Sequence, residues 1–139
     1  MEKIIVLNRT RAIKYSYQPQ EKTFGIISIS ELADSVPNFH SSPQLKGLLK
    51  LQFDDVDQNK DGYYAMTEQD AQKIATFVKR CSSHFDILVV HCLAGRSRSA
   101  GVAAAIAKWK FGDDSEFFRN YTPNMHCYRL VLEKLMEGN

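Results

Sequence analysis

Phe85-Asp86-Ile87-Leu88-Val89-Val90-His91-Cys92-Leu93-Ala94-Gly95-Arg96-Ser97-Arg98-Ser99-Ala100-Gly101-Val102 is the stretch from which the fold is read. Its first part, Phe85 to Val90, is an apolar run of strand length and reads as a buried parallel strand. Ala100 to Trp109 is alanine-rich and reads as a helix. Cys92 therefore stands at a strand end, in a short loop, at the mouth of a helix. Amide N–H groups at a helix N-terminus have no intrahelical partner, and the helix dipole adds positive potential there. A loop with several inward amides makes a nest for an anion such as phosphate. The same field favours thiolate over thiol, so an ordinary cysteine pKa of about 8.5 is expected to fall. Gly95 lets the backbone bend tightly. Arg98 lies six residues after Cys92, and its planar fork can hold two oxygens of an anion above the sulfur. A nucleophile and an oxyanion clamp thus share one loop.

Working outward, Lys3 to Leu7, Thr23 to Ser30 and Gly47 to Phe53 read as further strands, the last with Leu49, Leu51 and Phe53 on one face. Asn8 to Tyr15 reads as a loop entering a short helix, with Arg9 and Arg11 as solvated charges or, if the segment folds over a phosphate pocket, as part of its lining. Glu31 to Pro43 reads as loop. Thr67 to Cys81 is an amphipathic helix, capped by Thr67 with Asp70 three residues on, and carrying Ala71, Ile74, Ala75 and Val78 as its apolar stripe. Helices are also expected over 113–121 and 126–136. The class is α/β: residues 1–139 as one compact domain, with a mainly parallel central sheet and helices on both faces. Ligands of such sheets bind outside the carboxyl ends of the strands, where Cys92 also falls.

The run His91-Cys92-x-x-Gly95-x-Ser97-Arg98-Ser99 resembles the signature of the cysteine-based protein tyrosine phosphatases in its dual-specificity form, with every fixed position filled. The resemblance implies a phosphatase-like fold and a phosphocysteine mechanism. Cys92 would attack phosphorus. Arg98 and the loop from Leu93, Ala94, Gly95 and Arg96 to Ser97 would hold the phosphoryl oxygens. Ser99 would assist thiolate release, and His91 would orient the loop and support the low cysteine pKa. No cofactor is implied.

Phosphoryl transfer expels an alkoxide or phenoxide, which needs a proton from a nearby carboxylic acid. The third strand runs into Phe53-Asp54-Asp55-Val56-Asp57. The family pattern fits best with Asp55 as the acid, with Asp54 and Asp57 as alternatives. A second pattern overlaps this loop. Asp57, Asn59, Asp61, Gly62, Tyr63 and Glu68 match the spacing of an EF-hand calcium loop. A strand precedes it instead of a helix, and it occurs once, so it reads as a polar turn shaped like the motif, with no metal required.

A net charge of +2 with scattered basic residues gives no argument for nucleic acid. No apolar run reaches the ~18 residues of a membrane span. Three widely spaced cysteines suit a reducing compartment, and the expected location is the cytoplasm. The expected protein is a monomeric protein tyrosine or dual-specificity phosphatase acting on phosphorylated protein or a small phosphomonoester. The alternatives are a phosphatase for phosphoinositides, nucleotides or RNA 5′-phosphates, and an inactive phosphate-binding module.

Overall fold

The computed structural model describes residues 1–138. Strands β1 (Lys3–Asn8), β2 (Phe24–Ser30), β3 (Leu45–Gln52) and β4 (Ile87–Cys92) form one sheet in the order β1-β4-β2-β3. Every pairing is parallel. The central strands β2 and β4 are the apolar runs, and β2 is buried along its whole length, as parallel strands covered on both faces must be. Because β4 lies between β1 and β2, the loop that follows it opens in the middle of the sheet's carboxyl edge.

Helices cover the two faces unequally. On one face α1 (Arg9–Tyr17) sets Ala12 against Phe24, Ile26 and Val89, with Phe39 from the β2–β3 connection beside them. On the other face Ile27, Ile29, Leu51, Leu88 and Val90 meet α2 (Glu68–Cys81), α3 (Arg98–Phe111), α4 (Ser115–Asn120) and α5 (Met125–Met136). The expected stripe of Ala71, Ile74, Ala75 and Val78 is buried, and the Thr67–Asp70 capping box is formed at 3.1 and 3.0 Å. Among the described residues no helix is long and apolar enough to cross a membrane.

Beyond shifts of one or two residues at β3 and α4, three departures from expectation bear on the site. The segment after β1 is a full helix from Arg9, started by the Asn8 side chain, which accepts from the Arg11 amide at 2.8 Å. Helix α3 begins two residues early, at Arg98, inside the signature itself. Phe85 is buried but precedes β4, since a 3₁₀ turn at Ser82–His84 brings the chain out of α2.

Candidate active site

Four structural features clamp the loop Cys92–Arg98. The Leu93 carbonyl accepts from the Arg9 amide, at the start of α1, at 3.2 Å. The Arg96 and Ser97 carbonyls accept from the Thr122 and Asn124 amides at 3.0 and 2.9 Å. Gly95 has φ +66° and lies against the end of β1: a Cβ there would stand 2.6 Å from the Asn8 nitrogen. Only glycine fits both constraints. Ser97 precedes α3 but does not cap it. Its hydroxyl instead donates to Asp55 Oδ1 at 2.9 Å. The first-turn amides of α3 are thereby left for an anion.

Cys92 is buried at 2% exposure, on the face packed by α3. Burial alone pushes its thiol pKa up. That push is outweighed by the Ser99 hydroxyl, 3.1 Å from Sγ, by the Ser99 amide, by the Arg98 charge and by the Arg96 amide, so the pKa is lowered. All these groups stabilise the thiolate, as a nucleophile requires.

Arg98 is 3% exposed. Its Nη1 donates to the Phe53 carbonyl at 2.9 Å, and Nη2 lies 3.7 Å from Glu31 Oε1. Its Nε–H is buried and has no partner in the protein. A buried guanidinium donor without an acceptor is costly unless a ligand completes it.

His91 is fully buried, and burial together with Arg9 and Arg98 depresses its pKa to about 4, against a raising contact from the Cys92 carbonyl. The ring is neutral. Nδ1 lies 3.3 Å from that carbonyl and so carries the proton, leaving Nε2 to accept from the Ser28 hydroxyl at 2.6 Å. His91 therefore serves Cys92 by fixing its backbone, without a positive charge.

The three acid candidates separate by environment. Asp54 is buried, and its two oxygens accept from the Leu32 and Tyr64 amides at 3.4 and 2.8 Å. It ties the loop together. Asp55 is exposed, docked on the signature loop through Ser97 and held also by Asn124 Nδ2 at 3.0 Å. Asp57 is exposed, farther along the loop.

The calcium-like stretch folds as a tight hairpin. Lys60 and Tyr63 exchange backbone hydrogen bonds around Asp61 and Gly62, whose φ values are +53° and +82°, the combination a type I′ turn needs. Asn59 is engaged with the Ala65 amide at 2.9 Å, and Glu68 pairs with Lys134 at 3.5 Å. Among the described residues no three His, Cys, Asp or Glu side chains gather to hold a metal.

Four contributors lie outside the set of site residues read from the sequence. Ser28 supports His91, Glu31 faces Arg98, and Arg9 places Nη1 3.5 Å from Ser30 Oγ instead of in solvent. Asn124 caps α5 through Oδ1, at 3.0 Å from the Cys127 amide, while Nδ2 holds Asp55.

No family model matches the chain, and no curated protein is similar to it in sequence. Solved structures are similar. The human tyrosine phosphatase-like serine/threonine/tyrosine-interacting protein superposes with TM-score 0.65 at 19% identity, covering 94% of this chain and 89% of that one. The fold is that of the dual-specificity phosphatases. A mouse putative dual specificity phosphatase, complexed with zinc tungstate, gives TM-score 0.65 at 15% identity over 94% of this chain and 80% of its own. PTPMT1 in complex with PI(5)P gives 0.51 at 20% identity over 83% and 78%. This likeness shows the phosphatase fold; what the chain does within it is a matter of its own residues.

Proposed function

We propose that the chain is a cysteine-dependent phosphomonoester hydrolase, a protein tyrosine or dual-specificity phosphatase. The observation that carries this is the buried Arg98 Nε–H with no acceptor, beside a thiol whose pKa is lowered. A phosphoryl oxygen is the acceptor that site lacks, and a structural cysteine needs neither feature.

The steps follow from the groups in place. Cys92 thiolate attacks phosphorus as the P–O bond to the leaving group breaks. Arg98 and the loop amides take up charge on the equatorial oxygens. Asp55 gives its proton to the leaving oxygen. Water then attacks the phosphocysteine, Asp55 carboxylate takes the proton, and the P–S bond breaks to release phosphate. Ser99 donates to the departing thiolate. Among the three aspartates Asp55 alone is both exposed and fixed to the signature loop, which favours it over Asp54 and Asp57. In this reading residues 1–139 act as one catalytic domain, a monomer in the cytoplasm, where the free thiols Cys81, Cys92 and Cys127 persist.

The test is a rapid acid quench with a ³²P-labelled aryl phosphate. Wild type should trap phosphate on Cys92. Cys92→Ser should trap none and lose at least about 10³-fold in kcat while still binding vanadate. A variant keeping a tenth or so of the wild-type rate would refute the covalent mechanism.

A further inference from the structure

A groove of about 360 Å³ runs between β3, at the edge of the sheet, and the exposed side of α2, and it shares no residue with the reaction site. Leu49, Phe77 and Cys81 give it an apolar floor. That floor is held in place. The Phe77 ring stacks on Phe85 with centroids 6.2 Å apart, and it lies over Gly47, where a Cβ would come within 3.1 Å of it. On the rim, Gln72 Nε2 donates to Thr76 Oγ1 at 3.2 Å. The other rim residues are Lys73 and Arg80, both exposed. Among the described residues neither of these side chains has an ion-pair or hydrogen-bond partner, and the groove's lining contains no carboxylate. Lys79, beside Arg80, donates by contrast to the Glu137 carbonyl at 3.0 Å. The two free cations are seven positions apart on α2, close to two turns or about 10.5 Å, with Phe77 between them.

We infer that this groove docks an acidic amphipathic helix of a partner protein, whose apolar side chains enter between Lys73 and Arg80 and whose carboxylates pair with them. On a helix, positions i, i+3, i+4 and i+7 share one face. Carboxylates at the first and eighth positions, with apolar residues at the fourth and fifth, therefore match the spacing of the cations and the floor between them. Two cations facing no carboxylate attract an acidic surface and repel a basic one. A strand added to β3 is the poorer fit. Lys46 and Lys50 are exposed along that edge, and the β2–β3 register shifts between Phe24 and Gly25; both features oppose edge pairing. Docking there does not depend on the phosphatase reading.

The test uses the full chain and a synthetic capped helical peptide with Glu at its first and eighth positions and Leu at the fourth and fifth, followed by fluorescence anisotropy. At low ionic strength it should bind about tenfold tighter than the same peptide with Lys in place of Glu, as two exposed charge pairs provide. The preference should collapse near 1 M salt, where the Debye length is about 3 Å. Serine in place of both leucines should abolish binding. The Glu peptide should also slow iodoacetamide alkylation of Cys81, which is half-buried in the groove, as read by peptide mass mapping. Lys73→Glu combined with Arg80→Glu should reverse the preference toward the Lys peptide and leave hydrolysis of a small aryl phosphate unchanged; both positions are exposed, and thermal unfolding checks the fold. No binding, equal binding of the Glu and Lys peptides, or binding that leaves Cys81 as reactive as before would overturn the groove assignment. Self-association of the chain alone that protects Cys81 would overturn the choice of occupant. If wild type left aryl phosphate unhydrolysed while the Glu peptide bound as described, the catalytic reading would fail and the docking surface would stand.

Discussion

Ser99→Ala isolates one hydrogen bond to the nucleophile. The Ser99 hydroxyl is 3.1 Å from Cys92 Sγ, both residues are buried, and the hydroxyl leads the groups that lower the thiol pKa against the push of burial. A hydrogen bond to a charged group contributes about 1.5–3 kcal/mol, and one pKa unit corresponds to about 1.36 kcal/mol. Loss of the whole bond would raise the thiol pKa by about 1–2 units. The Ser99 amide, the Arg96 amide and the Arg98 charge remain, so the lower end, about one unit, is expected. The sign is fixed, because a donor to sulfur stabilises thiolate over thiol. The assay is the rate of iodoacetamide alkylation against pH in a Cys81→Ser background; burial pushes Cys127 well above the ordinary thiol range and keeps it silent there. The alkylation midpoint and the acidic limb of the kcat/KM profile should move up together. Since the same hydroxyl serves the departing sulfur, phosphocysteine should also accumulate, giving a burst with an activated aryl ester. An unmoved or lowered midpoint would show that Ser99 does not stabilise the thiolate, and the account of Cys92 activation would fall with it.

Gly95→Ala should destabilise the fold and disable the loop, because φ +66° costs a Cβ-bearing residue roughly 1–2 kcal/mol and the new methyl meets β1 backbone at 2.6 Å. Urea unfolding measures it, and an unchanged midpoint would contradict the clamp. Asp55→Asn should cost about 10²–10⁴ in kcat for a phosphotyrosine peptide, little for an activated aryl ester, and should remove the basic limb of the pH profile. Asp54→Asn should leave that limb in place and instead lower stability by about 1–3 kcal/mol, since an amide NH₂ would replace an acceptor at the Leu32 and Tyr64 amides. If the limb vanishes with Asp54→Asn and survives Asp55→Asn, the two roles are exchanged.

The elements legible in the sequence were those whose causes are local. The strand, loop and helix from Phe85 to Trp109 are one continuous piece of chain, and hydrophobic period, glycine and helix propensity lie within it. The stripe and capping box of α2 are likewise neighbours on one helix. Helix α1 was under-read because its local signals conflict: Asn8 is a good cap, yet Arg9 and Arg11 sit in a first turn where the dipole disfavours cations. Tertiary packing of Ala12 and the contact of Arg9 with the signature loop settle it. Strand order could not be read at all, since parallel pairing fixes neighbours through contacts such as Val6 with Val90 and Ile27 with Val90, far apart in sequence.

The site's unread members share that remoteness, but they left one trace. Ser28 reaches His91 across 63 positions and Asn124 reaches Asp55 across 69, so no spacing rule links them. Ser28 nonetheless interrupts an apolar pattern. In Phe24-Gly25-Ile26-Ile27-Ser28-Ile29-Ser30 the two serines fall on the face shared by Phe24 and Ile26, at the carboxyl end of a wholly buried strand. His91 follows Val90, Asp54 follows Phe53, and Arg98 and Ser99 open α3. Among the described residues, six of the seven buried polar or charged ones, all but Ser16, lie at this edge of the sheet. Burying a polar group unpaired costs free energy, so polar residues ending buried strands imply partners, and the parallel topology places all those ends on one side. The pattern identifies the members of the network; only the fold says which bonds to which.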